Sequence, residues 1–123
     1  MKNATARKLA RLDTQTVQSM LDSREEFALL VTLASQGDRR AVGAIVAALG
    51  PDLLKVARKA LDGCEDEAAD VLQDFALAML EQRWPFTRAQ GDGMAWMCGV
   101  VRMIARNRRR EARRQAGVGE DGW

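Results

Sequence analysis

Residues 65–82 read EDEAADVLQDFALAMLEQ. Val71, Leu72, Phe75, Ala78 and Met79 recur at helical spacing and share one face of a helix. Asp66, Asp70, Gln73, Asp74 and Leu77 fall on the other side. Neither Gly nor Pro interrupts the run. The stretch therefore predicts one strong amphipathic helix from Glu65 to Gln82. Arg83-Trp84-Pro85-Phe86 closes it, because Pro85 disfavours helical backbone at the residue before it.

The same period extends toward the N-terminus. Val42, Ile45, Leu49, Leu53, Val56 and Ala60 recur at steps of three and four, straight through Gly50-Pro51. This pattern predicts one long helix, kinked near Pro51, capped by Asp38 and ended by Asp62-Gly63. Phe27, Leu30, Val31 and Ala34 mark an earlier helix, started by Asp22-Ser23 with Glu25 and Glu26 in its first turn and stopped by Gly37. Residues 1–22 form an N-terminal extension in which Leu9, Leu12, Met20 and Leu21 are loosely helical in spacing. Toward the C-terminus, Thr87 to Gly93 is a short loop and a final helix runs from about Met94 to Arg114. Residues 115–123, with Gly117, Gly119 and Gly122, read as a flexible tail. The expected fold is all-α, a compact helical bundle over residues 23–114.

Composition narrows the chemistry. The chain has 123 residues, 47% hydrophobic and 29% charged, which suits one domain with a core of its own. It contains no His, which excludes His-based acid–base catalysis, Ser-His-Asp and Cys-His pairs and His-ligated metals. Cys64 and Cys98 stand alone and read as buried or idle thiols of a reducing compartment. No apolar run reaches the length of a membrane span, and the N-terminus lacks an apolar signal core. A cytoplasmic protein that is not an enzyme and uses no cofactor or metal is expected.

Charge is distributed in blocks although the net charge is only +2. Six acids and no base lie between Asp62 and Asp74; seven Arg and one acid lie between Arg102 and Arg114. On the first block, Asp70, Gln73, Asp74 and Leu77 are neighbours within two turns, an apolar anchor in a charged rim that suits protein docking. On the last helix, Arg102, Arg106, Arg109 and Arg113 line one side, flanked by Arg108, Arg110 and Arg114, while Trp96, Val100, Met103, Ile104 and Asn107 share the opposite side. Guanidinium groups at this density suit phosphate contacts. The plainer alternative is two solvated faces that partly neutralise each other, with the cations answering the helix dipole.

The order of these pieces resembles region 2 of the sigma-70 family, in particular the extracytoplasmic-function sigma factors. The resemblance rests on Leu30-Val31, Gln36-Gly37-Asp38, Ala41, Glu67-Ala68-Ala69-Asp70-Val71-Leu72-Gln73-Asp74, Phe86, Trp96 and Ile104-Ala105-Arg106-Asn107, and spans about Glu26 to Arg114. It implies a promoter-recognition module. Asp70, Gln73 and Asp74 match positions that dock on the clamp coiled coil of bacterial RNA polymerase. The last helix and the loop before it match the part that binds and melts the promoter −10 element and holds the non-template strand. DNA contacts are accordingly expected from Thr87, Arg88, Gln90, Asp92, Trp96, Arg102, Arg106, Asn107, Arg109, Arg110 and Arg113.

Within the loop, Thr87, Gln90 and Asp92 can bond base edges, and Gly91 and Gly93 allow close backbone approach; alternatively Asp92 simply caps the last helix. The chain departs from the family at several points. Phe75 stands one residue before the family's Phe position, and Trp96 lies four residues too early relative to Asn107. Nothing in these residues matches the −35-binding domain. A regulatory protein of the anti-sigma kind is a further partner that the resemblance admits. Other readings of the same surfaces are a regulator that occupies the clamp site without reading DNA, and a helical DNA-binding protein unconnected with polymerase whose acidic face is simply solvated.

Overall fold

The computed structural model describes the backbone of residues 2–87 and 90–121, and side chains of residues 4–87 and 90–115. Among the described residues there are six α-helices and no strand: α1 Lys2–Ala10, α2 Thr14–Met20, α3 Arg24–Ser35, α4 Arg39–Leu61, α5 Ala68–Leu80 and α6 Gly93–Asp121. None of them is long and apolar enough to cross a membrane.

Local chemistry sets the starts. Asp13 accepts the Thr16 amide at 2.7 Å, Ser23 the Glu26 amide at 3.2 Å and Asp38 the Ala41 amide at 3.0 Å, each at the mouth of its helix. Gly37, at φ +88°, closes α3: its amide bonds Ala34 O and the Asp38 amide bonds Leu33 O, a Schellman ending. A Cβ at Gly37 would stand 3.1 Å from the carbonyl oxygen of Leu80, so this turn also seats the end of α5.

Helix α4 is the spine. It runs unbroken through Gly50-Pro51, with Val42, Ile45, Leu49, Leu53, Ala57 and Leu61 buried, and α2, α3, α5 and α6 all pack on it. Pro51 removes the amide that would bond the Ala47 carbonyl; both residues are exposed, so water can take the amide's place. Gly50 faces inward, where a Cβ would meet Leu72 at an ordinary 3.6 Å.

Three boundaries differ from the sequence expectation. Residues 1–22 are not an appendage: Val17 and Met20 of α2 are fully buried, and α1 is tied to α3 by Lys8 and Thr5 on Glu26 at 2.7 and 3.0 Å. Glu65–Glu67 is a 3-10 turn, and α5 proper ends at Leu80, with Gln82 in left-handed backbone at φ +55°. The last helix continues as helical backbone to Asp121, through the segment expected to be a tail. No Pro stops it, and Gln115 and Ala116 are good helix formers.

Candidate functional site

Helix α5 buries Val71, Phe75, Ala78 and Met79 on the core and leaves Gln73 and Leu77 exposed, as the period requires. Leu77, 47% exposed, is among the most exposed large apolar side chains of the described residues. It borders a cleft between α5 and α6 whose walls include Asp74, Trp84, Asn107, Arg108 and Glu111.

That cleft holds the main electrostatic feature of the molecule. Arg108 Nε donates to Asp74 at 2.8 Å, Nη1 donates to Glu67 at 3.0 Å, and Asp70 stands 3.8 Å away. The Asp74 bond, ahead of the opposing effect of burial, pushes the Arg108 pKa further up, so the guanidinium stays charged. Two of the expected docking residues are therefore engaged from within: Asp74 directly and Asp70 at longer range. Gln73 and Leu77 remain outward.

Arg108 occupies this place because it continues the buried row of α6. Met97, Val101, Ile104 and Arg108 follow at steps of four, three and four, and the first three are buried. The expected grouping of Trp96, Val100, Met103, Ile104 and Asn107 therefore splits. Val100 and Ile104 are buried, Trp96 is half-buried, and Met103 and Asn107 are exposed on the flank of the helix. Trp96 packs its ring on Phe86, centroids 5.2 Å apart and tilted by 51°, so much of its surface supports the core.

The loop residues have local roles. Asp92 Oδ1 accepts the amides of Met94 at 2.7 Å and Ala95 at 3.2 Å: it caps α6. Gln90 Oε1 accepts the Thr87 amide at 2.9 Å, and the Gln90 amide bonds back to Thr87 O. Gly91, at φ +98°, makes the turn. Gly93 is buried against α3, where a Cβ would sit 2.9 Å from Val31. Close approach at Gly93 is thus to the protein's own core. Arg88 lies outside the described residues.

A residue absent from the sequence reading anchors this region. Ser35 is buried at 1% exposure; its Oγ donates to Thr32 O and accepts the amide of Phe86 at 3.0 Å. The bond spans fifty-one residues. It fixes the strap between α5 and α6, and with it the position of Phe86 under Trp96.

The arginine row stands on the other flank of α6. Arg102, Arg106 and Arg113 are exposed, as is Arg110 beside them. Arg109 is half-buried and faces Asp62 at 3.9 Å. Helix α4 adds two cations that sequence periodicity did not single out. Lys55 and Lys59 line a shallow groove with Arg102 and Arg106, over Val56 and Ala60. The signal was the i, i+4 pairing of the two lysines on the outer side of α4; no local feature says that α6 lies beside them.

Among the described residues, no group of three or more His, Cys, Asp or Glu side chains is disposed to hold a metal ion. Burial pushes the Cys98 thiol up, which disfavours its reactive thiolate. No protein-family model, no curated protein and no solved structure matches the chain.

Proposed function

We propose that this chain is a sigma region 2-like transcription initiation protein. In this reading α5 docks on the clamp coiled coil of RNA polymerase, and α6 with the loop before it engages the −10 promoter element. The observation that carries the proposal is the separation of two surfaces across one helix. On one flank of α6 lies the α5 cleft, where outward Leu77 and Gln73 adjoin carboxylates. On the other lies a row of exposed guanidinium groups. An apolar anchor in an acidic rim suits a basic protein partner, and a cationic row suits phosphates. The sequence resemblance supplies the identities of the two partners.

Arg108 shapes the docking mode. Because it already holds Asp74, a basic residue of polymerase has to share that carboxylate or displace the arginine. Gln73 and Leu77 offer contacts without that competition, and Asp70 meets it only at 3.8 Å.

The test is a binding titration with core RNA polymerase, using the wild-type chain and the Asp70→Ala/Gln73→Ala double variant. Both side chains are exposed, so helix content should not change. The variant should bind more weakly by roughly 1–3 kcal/mol, as for a central interface contact. Equal binding of the two proteins sinks the docking assignment.

A second reading, a clamp-binding regulator that does not read DNA, draws on the bonding of Gln90 to the Thr87 amide and of Asp92 to the first amides of α6. Single-stranded −10 variants distinguish the two. Sequence-ranked binding supports the first reading, and binding without rank supports the second.

A further inference from the structure

We infer that the trough between α1, α3 and the strap residues 85–87 is the docking site for one amphipathic α-helix of another protein, whose apolar stripe lies on Leu29 and whose flank toward Glu25 carries lysine or arginine. The inference goes beyond the proposed function and does not rest on it: no residue lines both this trough and the α5–α6 cleft.

The trough exists because polar ties, more than packing, hold α1 to the bundle. Lys8 and Thr5 bond Glu26, and Arg40 bonds the carbonyls of Leu9 and Ala10. Leu9, the one large apolar residue of α1, packs on the core only in part. The space left between α1, α3 and the strap measures about 1000 Å³. Leu29 of α3 borders it and stays 38% exposed, and Pro85 and Thr87 border it from the strap.

Shape and hydrogen bonding select a helix. The lining runs along α3 from Ser23 to Gln36, thirteen residues or about 20 Å of helix. The mean cross-section is then about 50 Å², against about 80–110 Å² for a helix with its side chains. About half a helix enters, its apolar side, and the rest stays in water. The polar side chains of the walls are already engaged. Thr32 Oγ1 donates to Ala28 O, Ser35 Oγ is held between Thr32 O and the Phe86 amide, and Thr5 donates to Glu26. No strand edge exists among the described residues. An incoming polypeptide therefore has to satisfy its own backbone, which a helix does and an extended segment does not.

Charge sets the flank. The two ionised side chains that line the trough are carboxylates, Glu25 and Glu26, and no Lys or Arg lines it among the described residues. Lys8 answers Glu26 from α1, while Glu25 is exposed. Acidic amphiphiles are repelled there and a basic flank is attracted. A second copy of this chain has no such helix to offer. Helices α2 to α6 turn their apolar stripes into their own core, and Leu77 and Met103 stand singly on α5 and α6.

The experiment measures fluorescence anisotropy with a labelled model peptide of roughly fifteen residues, long enough to follow the trough. It carries Leu at i, i+3, i+4 and i+7 and Lys on both flanks. A second peptide has Glu for every Lys, and a third has a central Pro. The proteins are wild type, Leu29→Ser, Glu25→Lys and the control Met103→Ser, which truncates an apolar side chain of similar exposure on α6. Circular dichroism and the urea midpoint confirm that all four are folded.

The Lys peptide should bind the wild type saturably, and Leu29→Ser should weaken it about tenfold, as for a central apolar contact. Met103→Ser should change it less than about twofold. The wild type should prefer the Lys peptide to the Glu peptide, and Glu25→Lys should reverse that order. No saturable binding below about 1 mM overturns the site. Equal losses in Leu29→Ser and Met103→Ser would show general adhesion to apolar surface and also overturn it. Undiminished binding of the Pro peptide overturns the helix. Uptake of dodecylammonium below its micelle concentration, with no peptide bound, reassigns the trough to small cationic amphiphiles. Dimerisation of the wild type that Leu29→Ser abolishes assigns it to a second copy; either result overturns the proposal. Peptide binding in a chain that ignores core polymerase retains the trough and removes the proposed function, and the converse result does the reverse.

Discussion

Gln82 carries a conformation that its side chain disfavours. The last turn of α5 closes with the Gln82 amide on Met79 O at 3.0 Å and the Arg83 amide on Ala78 O at 2.9 Å. This is the Schellman pattern, with Gln at the left-handed position where Gly is usual. A non-glycine residue there carries about 1 kcal/mol of backbone strain or more. Glycine relieves it but gains freedom in the unfolded chain. Gln82→Gly should therefore raise stability by about 0.5–1 kcal/mol, read as a higher urea midpoint with unchanged slope. A lower midpoint would mean that the Gln82 side chain, packed beside Gly37, contributes more than the strain removes. Ser35 makes the opposite point: a small polar residue on an otherwise apolar helix face is there because a distant amide, that of Phe86, must be satisfied.

Helix α1 depends on one carboxylate. Glu26 lies in the first turn of α3 and takes hydrogen bonds from Lys8 Nζ and Thr5 Oγ1. The Lys8 bond holds its carboxyl below the ordinary range, outweighing burial, with Thr5 adding to the effect. The folded-state value is lowered, so the stabilisation is present above the unfolded value and is lost as pH falls through the folded one. Below the ordinary carboxylate range α1 should loosen from α3 first. Hydrogen exchange of the α1 amides, corrected for the intrinsic pH dependence, checks this: protection should drop in acid while α4 stays protected. Glu26→Gln should remove the pH dependence of that protection. An α1 that remains equally protected in acid assigns its docking to Leu9 and Arg40 instead, the latter bonding Leu9 O and Ala10 O.

At the scale of the molecule, Arg108 fastens the acidic block to the basic block. It joins α6 to Glu67 and Asp74 at the start and middle of α5, across sequence gaps of forty-one and thirty-four residues. The partners are a third or so exposed, so solvent screens the pair and its contribution stays modest. Arg108→Ala should cost about 1 kcal/mol in urea unfolding. The same change should strengthen binding of a basic partner at α5, because Asp74 is released. Weaker polymerase binding by this variant, with its fold intact, would show that Arg108 positions the acidic face for docking. The two blocks of charge were thus neither wholly outward surfaces nor wholly neutralised faces. Arg108 closes them on each other, Arg109 faces Asp62 and Arg114 pairs with Glu111, while Arg102, Arg106, Arg110 and Arg113 stay exposed.

The sequence alone determined that the protein is all-α, which faces of α3, α4 and α5 are apolar, and where α3 and α4 begin. These are local matters. A period of 3.6 places Val71, Phe75 and Ala78 together whatever surrounds them, and Ser23 or Asp38 caps a helix with atoms three residues away. Asp92 was legible in the same way, as one of two readings, and the capping one holds. What the tertiary structure decided is everything that needs two elements side by side. Val17 and Met20 are core only because α2 lies on α4. Trp96 rests on Phe86 only because Ser35 holds the strap. Lys55 and Lys59 become a groove wall only where α6 brings Arg102 and Arg106 beside them. Such pairings join residues tens of positions apart, and the fold chooses them by burying the most apolar surface. No local period of charges records that choice.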